Sequence, residues 1–347
     1  MNVSFLAGED MGLVEEGFIC VEDGFIRELG EGFEGGGVDY RDYLVVPGFF
    51  NSHVHLGDSF ALEGVVGLGV RSAVGPGGRK WVLYEGVSEY LVLDGVRGSL
   101  EYMKKLGTTF FADFQEGGKK GINMLQAACE STPLKKKILG RDIKIDTADG
   151  LGLNVYNLEQ IPQDRGDKII AVHAGEEEGE ITLALDYKPN IIVHATCASD
   201  EEIDRLAESK TDVVVCPRAN AALKVGFPPI RKLIDAGVRV SLGTDNIMIN
   251  SPNIFREMEY LLKYSQINEP LTPLEVLQAA TVNAAETYNI NSGVIEEGRA
   301  ADLVYLDKSS VSLRHSRDIL ASVVSRCSPS DISKIMVDGV YVINKNG

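Results

Sequence analysis

Apolar and polar positions fall into two different rhythms along this chain. The opening is a series of short strands separated by turn residues, as in FICVEDGFIRELG. From VVPGFFNSHVHL onward the order becomes apolar run, polar tip and helix-like stretch, repeated, which is how βα units around a parallel sheet read. Strands are expected at Leu44 to Phe50, Thr108 to Phe114, Lys136 to Gly140, Leu151 to Tyr156, Ile169 to His173, Ile191 to His194, Val213 to Cys216 and Val238 to Leu242. Eight strands is the count of a closed (β/α)8 barrel.

The helices between them announce their starts. Thr272, Pro273 and Glu275 form a capping box with a first-turn proline ahead of LEVLQAATVNAAETY, and Ser199 with Glu202 repeats the box before EIDRLAES. From Ile295 the text returns to strand pairs and turns (VIEEGRAADLVYLD, then KIMVDGVYVIN), in the style of the opening. The expectation is therefore an α/β chain: a (β/α)8 TIM barrel over residues 47–297 and a small β-sandwich domain built from both termini, 1–46 and 298–347. Residues 57–80 are glycine-rich and follow the first barrel strand, where a mobile lid or an ordinary excursion is expected.

Composition narrows the setting. With 347 residues and 44% hydrophobic content the chain can bury a large core, and a formal net charge of −17 argues against a nucleic-acid or anionic-membrane surface. Five scattered cysteines without a C-x-x-C pair, and an N-terminus with acidic residues where a signal peptide would be basic, point to a cytoplasmic protein.

Five histidines occur in all, and four of them end apolar runs. His53 and His55 are two residues apart, so on a strand they leave the same face and can meet one metal ion. His173 closes IIAVHAGE and His194 closes NIIVHATC, at the strand ends that form the working face of a barrel. Asp245 ends the last strand, in VRVSLGTDN. Together His53, His55, His173 and Asp245 offer three nitrogens and an oxygen, a set suited to Zn²⁺ with one position left for water. Glu176, three residues beyond His173, is placed to carry a proton. Each has a plainer reading: an exposed polar pair, satisfied core histidines, a helix cap, and a solvated acidic helix start in HAGEEEGE. His315 has charged neighbours and reads as structural.

The stretches PGFFNSHVHLGD, HAGE, IIVHATC, GTDNIMINSPNIFREMEYLL and GVIEEGRAADLVYLD resemble the amidohydrolase superfamily, in particular its metal-dependent deaminases and chlorohydrolases. The resemblance implies that His53, His55, His173 and Asp245 hold one divalent metal, Zn²⁺ with Fe²⁺ as the alternative. It also implies that Glu176 shuttles protons, that His194 contacts the attacking hydroxide or the substrate, and that the chain forms a homodimer. Two-metal relatives carry a carboxylated lysine at the end of strand four. LGLNVYN has none, and Lys144 would fill that place only if strand four were misassigned. For substrate contacts the strand-end candidates are Gln115, Glu116, Arg218, Asn220 and Asn246, with Arg218 as an anion fork or as one half of a local ion pair. Arg71, Arg79, Lys80 and Trp81 belong to the lid or to a surface loop. The expected reaction releases ammonia from an aminated purine, pyrimidine or related heterocycle. The alternatives are hydrolysis of a cyclic amide or ring chloride on the same site, and a barrel that binds a small molecule without turnover.

Overall fold

The computed structural model describes residues 1–267 and 269–345. Among these, the larger sheet has nine strands, in the spatial order Val240–Leu242, Asp212–Val215, Ile191–His194, Ile169–Ala174, Gly150–Asn154, Lys135–Gly140, Thr108–Gln115, Phe49–His55 and Asp245–Asn246. Every neighbouring pair is parallel. The two outermost strands are consecutive in the chain, separated by Gly243 and Thr244. Gly243 N–H donates to Val215 O at 3.0 Å and Thr244 N–H to His53 O at 3.1 Å, so the last strand pairs with its predecessor below the break and with the first strand above it. The sheet thereby meets its own beginning.

One expected strand is corrected. The apolar run Leu44 to Phe50 is two strands: Asp39–Pro47 belongs to the smaller sheet, and the barrel strand starts at Phe49 and runs through both histidines to His55. Hydrophobicity is continuous across the boundary because both strands are buried, so periodicity could not reveal it. Gly48 marks it, since a Cβ there would lie 2.3 Å from the Thr109 side chain. The other seven expected strands occur with ends shifted by up to two residues.

Two layers pack on opposite faces of the strands, alternating along most of them, while the Phe49–His55 strand changes register between Asn51 and Val54. Phe50, Phe110, Phe114, Leu139, Ala171, Ile191 and Val193 pack together on one side, with the Phe50 and Phe110 rings stacked at 4.8 Å. Val54, Phe111 and Ile138 pack on the other, against the helices Glu89–Lys105 and Gly118–Cys129. Burying each large apolar side chain stabilises the fold by about 1.5–3 kcal/mol. The aromatic layer fills the inside of the curled sheet below the strand ends, so the polar groups beyond it gather at one rim. Both expected capping boxes form, Ser199 with Glu202 and Thr272 with Glu275, each worth about 0.5–2 kcal/mol.

The chain ends meet in a seven-stranded sheet, in the order Val340–Asn344, Ile332–Val337, Leu303–Asp307, Asp39–Pro47, Asn2–Ala7, Gly12–Glu22 and Phe25–Glu31. Leu303–Asp307 joins the two termini by pairing antiparallel with Asp39–Pro47. Val3, Phe5, Ile19, Val45, Leu303 and Tyr305 form its core. Its strands pair as one continuous sheet. Among the described residues no helix is long and apolar enough to cross a membrane.

Candidate metal centre and its cavity

His53 and His55 lie on the strand itself, 0% and 6% exposed, and their rings stand 4.9 Å apart. His53 Nε2 is 3.2 Å from Asp245 Oδ1 and 3.2 Å from His173 Nε2, while His55 Nε2 is 3.5 Å from Asp245 Oδ1. Two triads result, His53–His55–Asp245 and His53–His173–His194, with the ligand atoms of each within 4.8 Å of one another. Both triads contain His53, so the four expected metal ligands and His194 lie next to one another at this rim, and His55 also belongs to a third such group with Asp58 and Glu116.

The second nitrogens decide what these rings can do. His173 Nδ1 lies 3.0 Å from Leu153 O, and a carbonyl only accepts, so Nδ1 carries the proton and Nε2 presents a lone pair to His53. His194 Nδ1 is 2.9 Å from Asn220 Oδ1, which leaves its Nε2 bare in the same way. Two bare nitrogens thus face the Nε2 of His53 and the Asp245 carboxylate, an arrangement that a cation would satisfy. Protonation states agree. Burial lowers the pKa values of His53, His55 and His173, His173 well below the ordinary range and His55 to about 3, with neighbouring rings adding to the effect. Burial alone would raise Asp245, but its contact with His53 outweighs this and keeps the carboxyl well below the usual carboxylate range. Neutral imidazole and ionised carboxylate are the forms that bind a divalent ion, so the donor set fits one.

Local backbone serves this geometry. His194, Ala195 and Asp245 have φ of 82°, 50° and 59°, a conformation that costs non-glycine residues of order 1–3 kcal/mol and persists where the surroundings enforce it. Gly243 lets the last strand lie against the first, because a Cβ there would be 2.7 Å from His53 Cβ.

Glu176 faces the centre, its Oε1 3.9 Å from His194 Nε2. Burial raises its pKa, only partly offset by His194, as a proton carrier requires. Its acidic neighbours have separate tasks that charge alone did not reveal. Glu180 Oε2 accepts the N–H groups of Gly175, Glu176 and Glu177 at 3.0, 3.0 and 3.1 Å, which shapes the loop, and Glu177 pairs with Arg71 through two bonds of 2.8 Å.

Above the centre opens a cavity of about 440 Å³. His55, His173, His194, Glu176 and Asp245 line its polar part; Val70, Val74, Pro76, Leu223 and Ile249 supply apolar wall. The stretch expected as a lid or excursion folds as Leu56–Phe60, Val70–Ala73 and Arg79–Tyr84 and forms one side of the cavity.

Of the five expected substrate contacts, Glu116 and Asn246 line this cavity. The Asn246 amide bonds to Asp58. Asn220 is buried and positions His194. Gln115 is buried and donates to Glu116 O at 3.0 Å. Arg218 is corrected outright: its guanidinium lies 3.2 Å from buried Glu257 and faces a separate surface cleft. The partnership with a local carboxyl group, the second of its two sequence readings, is the one that forms, because the helix Ile254–Ser265 brings Glu257 to it. Lys144 is exposed and precedes strand four, and His315 is also exposed.

Sequence reasoning missed a charged cluster beside His55. Lys80 is 1% exposed, with its ammonium 2.8 Å from Asp58 and bonded to Glu116. Tyr84 donates to Asp58 at 2.7 Å, and Arg141 lies 3.7 Å from Glu116. Burial opposes charge here, yet the two carboxylates hold Lys80 protonated, and Lys80 in turn depresses Glu116 to about 2. The only prior signal was Glu116 at a strand end; Lys80 looked like an ordinary loop cation.

A sequence model described as the Amidohydrolase family matches residues 44–165 and 163–342. A putative aminohydrolase of Methanothermobacter thermautotrophicus is 31% identical, over 93% of this chain and 94% of its own length. A 5-methylthioadenosine/S-adenosylhomocysteine deaminase of Caldicellulosiruptor saccharolyticus is 27% identical, over 94% and 88%. Among solved structures, a zinc-bound adenosine deaminase of Xanthomonas campestris aligns with a TM-score of 0.80 at 18% identity, covering 99% of this chain and 93% of that one. A zinc complex of atrazine chlorohydrolase from Arthrobacter aurescens aligns with a TM-score of 0.83 at 18% identity, covering 99% and 95%.

Proposed function

The chain belongs to the amidohydrolase family, and from that premise we propose an aminohydrolase that releases ammonia from an aminated heterocycle, with an aminated purine as the first candidate. One observation carries the reading: three imidazoles and the Asp245 carboxylate converge in ligating form, with the raised-pKa carboxyl of Glu176 beside them. The 27%-identical relative named as a 5-methylthioadenosine/S-adenosylhomocysteine deaminase supports the purine, as does a cavity with a polar floor and apolar walls.

In this reading His53, His55, His173 and Asp245 hold one divalent ion, Zn²⁺ before Fe²⁺. Bound there, such an ion lowers the pKa of a water from 15.7 to about 7. Glu176 would take a proton from the attacking water and deliver it to the ring nitrogen next to the carbon under attack, then take the second proton from the hydroxyl now on that carbon and pass it to the amine, so that the C–N bond breaks as the carbonyl forms and ammonia leaves. His194, its ring locked by Asn220, and the ionised Asp245 accept hydrogen bonds that keep the water in line with the ring carbon. Asn246 reaches substrate from the cavity wall.

The proposal extends to organisation. In this proposal residues 1–46 and 298–347 belong to a small β-sandwich domain and 47–297 to a (β/α)8 barrel, and the pairing of strands from both ends of the chain in one sheet supports the division. Five free cysteines support a cytoplasmic enzyme, and a homodimer is the expected assembly. Cyclic-amide or ring-chloride hydrolysis would use the same centre, so the product separates these readings. Elemental analysis of the purified protein, followed by an ammonia-release screen over aminated heterocycles, tests the proposal. One equivalent of divalent metal with ammonia release is expected. Metal-free protein inert after zinc loading would overturn it.

A further inference from the structure

The 56–84 excursion walls the cavity through Val70, Arg71, Val74, Gly75 and Pro76; its start is anchored by Leu56 N–H on Asp113 and Ser99 on Ser59, while its middle is tied by Glu63 N–H to Met248 O and Lys224 to Gly67 O, both at 3.0 Å. Its apolar cluster is small, with Val65, Ala73, Leu223 and Met248 as the buried members. Gly64, Gly67, Gly69, Gly75, Gly77 and Gly78 loosen the intervening backbone. Among the described residues two ion pairs tie it to the barrel. Arg71–Glu177 is exposed on both sides, and exposed pairs contribute little.

The other pair is different in kind. The ammonium of Lys80 is buried between Asp58, 2.8 Å away, and Glu116 at the end of the second barrel strand. Asp58 also receives the Tyr84 hydroxyl and the Asn246 amide. Asn246 follows Asp245 and pairs with His55 across the barrel seam. One lysine thus joins the excursion to the second strand and, through Asp58 and Asn246, to the two strands that carry His55 and Asp245.

We infer that Lys80 is a positioning residue that latches the excursion over the metal centre, its ammonium neutralising the facing carboxylates Asp58 and Glu116. Without it, two buried carboxylates confront each other in a dry pocket, with Asp113 also buried nearby. Unless one of them takes up a proton, they separate or admit water, and the excursion lifts with them. The effect on turnover rests on the aminohydrolase reading; the latch itself does not.

The full-length, metal-loaded protein provides the test. Wild type, Lys80→Met, Lys80→Arg and Glu116→Gln are digested with trypsin under native conditions, and cleavage after Arg71 and Arg79 is timed by mass spectrometry. Lys80→Met should be cut at both sites at least about tenfold faster, and Glu116→Gln a few-fold faster, because cleavage follows local opening. Lys80→Arg should restore resistance. With any substrate from the ammonia screen, Lys80→Met should raise KM by about tenfold at unchanged metal content, with a smaller effect on kcat. Cleavage of Lys80→Met within about twofold of wild type overturns the latch. So does a loss of activity that tracks loss of metal, which is what a merely structural role produces. Should Lys80→Met not fold, Glu116→Gln decides, and unchanged cleavage there overturns the proposal. A wild type that releases no ammonia sinks the aminohydrolase reading and leaves the trypsin result to judge the latch.

Discussion

The Nε2 atoms of His53 and His173 lie 3.2 Å apart, although 120 residues separate the two in the chain. Because the Nδ1 proton of His173 is committed to Leu153 O, the nitrogen facing His53 is a lone pair. A cation at that lone pair would satisfy it. His173→Ala should therefore lower metal affinity by at least about 100-fold, more than the 10–100-fold typical of changes outside the ligand shell. Equilibrium dialysis against Zn²⁺ measures it, and a full equivalent retained at trace free metal would show that His173 is no ligand.

Glu176→Gln should keep the metal and lose turnover. The amide has the size of the carboxyl but cannot carry a proton, and positioned acid–base groups contribute about 10²–10⁴-fold. Steady-state ammonia release read beside metal content tests this, and near-normal kcat would remove Glu176 from the mechanism.

Asn220→Leu should cost about 10–100-fold in kcat, through His194 rather than through substrate. Without the amide oxygen at 2.9 Å the ring loses its fixed tautomer. A rise in KM at constant kcat would instead make Asn220 a substrate contact.

Gly243→Ala should disturb the metal centre from behind. The added methyl would lie 2.7 Å from His53 Cβ and 2.8 Å from its backbone nitrogen, and neither can swing away as a flexible side-chain tip could. A loss of about 1–3 kcal/mol in stability is expected, with weakened metal binding. Urea denaturation and metal titration read the two effects, and unchanged binding would show that the strands can part locally.

Glu257 predicts a pH dependence. Burial pushes its carboxyl up to about 8, with Arg218 offsetting only part of the rise. The folded state thus holds a proton that the unfolded chain releases near pH 4.5. The associated stability is fully present below about 4.5 and is lost as pH rises toward 8, each tenfold difference in proton affinity counting about 1.4 kcal/mol. Glu257→Gln should flatten the stability profile between pH 5 and about 8 relative to wild type. Parallel profiles in denaturant would show that Arg218 keeps Glu257 ionised throughout.

Much of this was legible in one dimension, and the reason is local. Seven of the eight expected barrel strands appear with small shifts, because strands buried on both faces must be apolar throughout their length. The same rule hid the break at Gly48, where one buried strand follows another without a polar interval. Histidines that end apolar runs could be picked out because strand ends in a closed sheet share one rim. The capping boxes at Ser199 and Thr272 were legible because a cap involves only neighbouring residues.

What the chain's order of residues determined by itself was the succession of βα units and the types of group available at one rim: four histidines, Asp245 and an acidic loop. Tertiary structure alone decided their partners. It sent Arg218 to Glu257, turned Asn220 toward His194, separated the tasks of Glu176, Glu177 and Glu180, and buried Lys80 between Asp58 and Glu116. The physical reason is that hydrophobic patterning reports whether a position is buried, while the pairing of polar groups depends on distances and directions set only when remote segments meet.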